Sequence, residues 1–156
     1  MPSRPREVNR SMTRSPNNSI NRAGYSKRSL AEKLGIKDGL RIAIVSPPPG
    51  YRAMLGVLPL GVTVQERPGT GMDLIHCFVK DKRDAASRIR ALKGNMSSSG
   101  ALWVSWPKGS SGVKTDLNEN VIREIGLKSG LVDVKVCAVD ETWSGLKFVY
   151  RLKDRP

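Results

Sequence analysis

The sequence predicts an α/β fold: a Rossmann-like, three-layer domain on a mainly parallel six-stranded sheet, closed by a C-terminal antiparallel hairpin. Three features predict it. Apolar runs alternate with helical stretches along most of the chain, the pattern of a doubly wound sheet with right-handed crossovers. Two runs, "IAIV" and "LIHCFV", are nearly continuous instead of alternating, as in strands covered on both faces. The last two runs lie within "VCAVDETWSGLKFVYRL", with only a short loop punctuated by "SG" between them; that reads as a hairpin, with the final strand reversed.

The elements follow in order. Residues 1–24 are polar, interrupted by prolines and aperiodic, so they are expected to be a disordered basic leader ahead of one domain over 25–156. Ser29 is placed to cap a short helix running to Lys33, with Glu32 as its capping-box partner and Gly35 as its terminator. Strands are expected over 41–46, 62–65, 74–79, 101–106, 133–138 and 146–151. Helices are expected over 51–58, ending before Pro59, over 82–93, ending at Gly94, and over 116–128, with Asp116 and Glu119 as a capping box and Gly130 just beyond. The resulting strand order, 2-1-3-4-6-5 with strand 6 reversed, matches class I methyltransferase-like folds.

Composition narrows the partners. The net charge of the 156 residues is +13, which favours an anionic small molecule, an acidic protein or nucleic acid. Nearly half of that excess sits in residues 1–28, where seven basic residues face Glu7 alone. Those residues are the candidate nucleic-acid arm. No apolar run approaches the roughly 20 residues that span a membrane, so no membrane partner is expected. Cys77 and Cys137 lie in separate strand-like runs, which suits buried, reduced thiols in a cytoplasmic protein. A lone His76 offers no zinc ligand set, so no metal site is expected.

In an open α/β sheet, ligands bind beyond the carboxyl ends of the parallel strands. The loops there are "SPPPGY", "KDKRD", "PKGSSGVKTD" and "DETWSG". They give the candidate ligand-binding edge: Pro48, Gly50, Tyr51, Lys80, Trp106, Lys108, Ser110, Ser111, Lys114, Asp140, Glu141 and Trp143. Tyr51, Trp106 and Trp143 are stacking surfaces. Lys108, Ser110, Ser111 and Lys114, around the flexible Gly109 and Gly112, form the expected small-anion loop. The first loop departs from a nucleotide cradle. Glycines there would supply positive φ and close backbone approach, whereas Pro47, Pro48 and Pro49 lack amide donors. Glu66 lies about 20 residues on, where a ribose-binding acid is expected. No nucleophile elbow or triad is present, so no catalytic residue is assigned.

"KLGIK", "WPK", "GLVDVKVCAVDE" and "WSGLKF" together resemble an uncharacterised bacterial family, domain of unknown function 3052, over residues 24–151. The resemblance implies a small bacterial protein of Rossmann-like fold and brings no activity or catalytic residue. "GALWVSWP" with the following helix and hairpin also looks like the later half of a methyltransferase domain. The functions rank as follows: a non-enzymatic ligand- or protein-binding domain with a small-anion site; a divergent S-adenosylmethionine-dependent methyltransferase, though the glycine-rich loop for that cofactor is absent; and a nucleic-acid-associated protein using its leader.

Overall fold

The computed structural model describes residues 28–155; the expected disordered leader over 1–24 lies outside them. Six strands form one sheet: β1 (Arg41–Val45), β2 (Thr63–Gln65), β3 (Met72–Phe78), β4 (Met96–Pro107), β5 (Leu131–Ala138) and β6 (Trp143–Tyr150). Their order is β2-β1-β3-β4-β6-β5. β1 pairs in parallel with β2 and β3, and β3 with β4. β6 is antiparallel to both β4 and β5. The predicted order and the reversed last strand are both present.

The continuous apolar runs become strands buried on both faces. On one face Ala43, Ile75, Cys77, Leu102, Val104, Trp106 and Phe148 pack beneath helices α3 (Lys82–Lys93) and α4 (Glu119–Lys128). On the other, Ile42, Ile44, Leu74, Phe78, Trp103 and Trp143 pack beneath α1 (Leu30–Leu34) and α2 (Tyr51–Leu55). Helices this short are marginal alone in water and need anchoring. Ser29 and Glu32 close the expected capping box on α1. The fully buried Trp103 donates its indole N–H to the Leu34 carbonyl at 3.0 Å, tying the end of α1 to the sheet.

Most strand bounds shift by one to three residues from expectation; β6 begins at Trp143, so Ser144 and Gly145 are paired within it and do not form the hairpin turn. Three further boundaries shift for a local reason. α2 ends at Leu55, because Gly56 turns the chain at φ 87°; Val57 and Leu60 then stand in solvent. α4 begins at Glu119, and its cap is Asn118, whose side chain accepts from the Val121 amide at 2.9 Å. Asp116 instead accepts from the Lys82 amide at 2.8 Å, joining the loop before α4 to the start of α3. β4 starts five residues earlier than expected, at Met96, because the polar "SSSG" stretch is carried past a register shift opposite Met72 and Leu74. α3 keeps its expected bounds, capped by Asp81.

Candidate functional site

Because β1, β3, β4 and β5 run the same way, all four loops named from the sequence leave the same rim of the sheet. Pro49 and Gly50 are the two central residues of a tight turn closed by the Tyr51 amide donating to the Pro48 carbonyl at 3.2 Å. With Gly50 at φ 81°, ψ 6°, this is the type II pattern of proline then glycine. Ser46 enters the turn at φ 55°, the one non-glycine residue with positive φ among the described residues. That conformation costs about 1–2 kcal/mol for an ordinary residue. The backbone thus does turn sharply after β1, with its glycine at the far end of the loop and three prolines between.

The turn is a ridge between two clefts. On one side, a cleft of ≈ 570 Å³ lies between the ends of β1 and β2; its wall includes Ser46, Pro47, Pro48, Gly50, Arg52 and Glu66. One arginine and one glutamate leave it near charge balance. On the other side, a cleft of ≈ 410 Å³ is lined by the same Ser46, Pro47 and Pro48, with Phe78, Lys80, Asp84, Arg88 and Trp143. A third, ≈ 260 Å³, holds Asp140 and Glu141 opposite Arg28 and Lys33.

The candidate residues are therefore divided. Pro48, Gly50 and Tyr51 line the first cleft; Lys80 and Trp143 line the second, with Pro48 again. Trp106 and Trp143 lie on opposite faces of the sheet; both are buried, and Trp106 lines none of the three clefts. Lys108, Ser110, Ser111 and Lys114 lie outside all three clefts. The Ser111 hydroxyl donates to the Lys108 carbonyl at 2.6 Å and accepts from the Val113 amide at 3.2 Å, so it stabilises its own loop. Asp140 accepts from the Thr142 and Trp143 amides, both at 2.8 Å, and so shapes the β5–β6 turn.

Beneath the ridge is a buried polar chain that sequence reasoning missed. His76 Nδ1 lies 2.7 Å from the Tyr51 hydroxyl and Nε2 lies 2.7 Å from Ser105 Oγ. His76 and Ser105 are fully buried and Tyr51 is 3% exposed. A neutral imidazole satisfies both hydroxyls in either tautomer, since each can donate or accept. Burial lowers the His76 pKa to about 3 and pushes the Tyr51 phenol up, with Arg52 opposing weakly. The signal was present in the sequence: one histidine and one serine interrupt apolar runs that become adjacent strands. The chain pins the start of α2, and with it the proline turn, to the sheet.

No protein-family model matches the sequence, and no curated protein matches it. Solved structures do. The chain is similar to a possible exported protein from Bordetella parapertussis, with TM-score 0.57 and 12% identity over 78% of this chain and 65% of that one; it therefore spans less than two thirds of that protein. It is similar to a SAM-dependent methyltransferase from Aquifex aeolicus, with TM-score 0.53 and 14% identity over 75% of this chain and 85% of that one. A TehB-like SAM-dependent methyltransferase from Corynebacterium glutamicum gives TM-score 0.50 and 12% identity over 83% of this chain and 91% of that one. The fold is the methyltransferase-like Rossmann fold. At such identities the likeness concerns the fold alone. Within that fold, the first cleft lies at the ends of the first two strands, with Glu66 on its wall.

Proposed function

We propose that the domain is a divergent S-adenosylmethionine-dependent methyltransferase that binds its cofactor in the cleft between the ends of β1 and β2. The observation that carries this is one wall shared by the 46–50 turn and Glu66. The residues fit the adenosine end of such a ligand. Apolar proline rings offer a flat surface for a base, Glu66 can accept from ribose hydroxyls, and ≈ 570 Å³ is within the range of small-molecule sites. Pro47, Pro48 and Pro49 withdraw three amide donors, which a pyrophosphate would need and a phosphate-free nucleoside does not. When bound, S-adenosylmethionine would supply an electrophilic methyl group; this chain's residues orient the nucleoside and limit water around it. Placement in the family called domain of unknown function 3052 is part of this proposal and rests on the resemblance of "KLGIK", "WPK", "GLVDVKVCAVDE" and "WSGLKF" alone.

The test is calorimetry with S-adenosylhomocysteine. Saturable binding is expected, weakened about tenfold by Glu66→Gln, in line with loss of a charged hydrogen bond. Absence of heat at millimolar ligand would overturn the proposal. The withdrawn amide donors also favour a second reading, a binding domain without turnover. Binding of S-adenosylhomocysteine without methyl transfer to any supplied acceptor would select it.

A further inference from the structure

The second cleft has a chemistry of its own. Its floor and walls are apolar: the 47–49 prolines, Phe78 and Trp143, with the last two rings edge to face at 5.0 Å and 89°. Its rim is cationic. Arg88 Nε is paired with Asp84 Oδ1 at 2.8 Å and the guanidinium also hydrogen-bonds the Cys77 thiol; with five N–H donors in all, it still has donors to spare. Lys80 is exposed and forms no ion pair among the described residues. Two cations against one carboxylate give this cleft a net positive charge, unlike the balanced first cleft.

Lys80 also stands on a fixed piece of backbone. Its carbonyl accepts from Thr115 Oγ1 at 2.5 Å, and two residues on the Lys82 amide is held by Asp116. Asp81 caps α3 next to it. The segment that carries the ammonium is therefore held before any ligand arrives, which lowers the ordering cost of binding.

We infer that this cleft is a binding site for a small anion on a ring-sized apolar body, with Lys80 and Arg88 taking the charge and the prolines, Phe78 and Trp143 taking the ring. The anionic group can be a carboxylate or a phosphate monoester, since both present oxygens to the two cations. Ser46, Pro47 and Pro48 line both clefts, so only one turn of chain separates the two ligands. A role for this anion as methyl acceptor rests on the methyltransferase reading; the anion site itself does not.

The test titrates the full chain with phenyl phosphate and with benzoate, following the amide signals of Lys80 and Trp143 by NMR. Inorganic phosphate serves as the charge-only control and benzyl alcohol as the ring-only control. At least one of the two aromatic anions should bind at least tenfold more tightly than either control, and which one identifies the anionic group. Lys80→Ala should weaken it about tenfold, and Lys80→Arg should restore most of the loss. Inorganic phosphate binding equally well, an unchanged Lys80→Ala affinity, or no shifts with either aromatic anion at tens of millimolar would each overturn the inference. Repeating the titration with S-adenosylhomocysteine separates the two proposals. Aromatic-anion binding without nucleoside binding leaves this site standing and removes the acceptor role; the reverse removes this site alone.

Discussion

The Tyr51 hydroxyl lies 2.7 Å from His76 Nδ1, so the first residue of α2 is bonded to the middle of the central strand β3. The proline turn is thereby fastened at both ends: through Val45 to the sheet on one side, and through this bond on the other.

Tyr51→Phe keeps the ring and leaves His76 Nδ1 buried without a partner. A loss of about 1–3 kcal/mol is expected, measured as a lowered urea midpoint with an unchanged slope. Ser105→Ala should behave alike through Nε2. A midpoint unchanged in both variants would mean that the chain does not stabilise the fold.

The buried histidine also sets a pH window. Its folded pKa is lowered to about 3, against about 6.5 when unfolded. Between those values the unfolded chain binds the proton and the folded chain does not, so stability rises with pH there. The contribution is complete above about 6.5 and lost as pH falls toward 3. Urea midpoints taken between pH 7 and 4 should fall, and His76→Gln should flatten that part of the curve relative to the carboxylate background. An equal slope in the variant would count against the assignment.

Helix α4 lies close against the sheet at Gly126, where a Cβ would collide with the Phe148 ring. Phe148 is fully buried and cannot swing away. Gly126→Ala should cost about 1–3 kcal/mol by overpacking, although alanine favours helices. Gly109 has open space around it, so Gly109→Ala should stay within about 0.5 kcal/mol. Thermal melts of the pair decide it.

The sheet was legible because burial on both faces leaves continuous apolar runs, and the bounds of α3 because Asp81 and Gly94 punctuate a clear helical period. The cap of α4 was ambiguous. Asp116 and Asn118 are both good caps, and only the contact of Asp116 with Lys82, 34 positions away, decides between them. Asn118→Ala should accordingly cost about 1 kcal/mol of helix stability. The rim was legible from strand direction, but its division was not. Local sequence cannot state that Pro47 and Pro48 serve two clefts, or that Arg88, on the second turn of α3, reaches the rim with Lys80. The pairing of Trp106 with Trp143 failed because the two extend from opposite faces.

The most direct test of the account is where S-adenosylhomocysteine binds, read from amide shifts in an NMR titration of the full chain. The largest shifts are expected at Ser46, Gly50, Gln65 and Glu66, with α3 and α4 little changed. Shifts centred on the Lys108–Lys114 loop, or no shifts at all at saturating ligand, would contradict it.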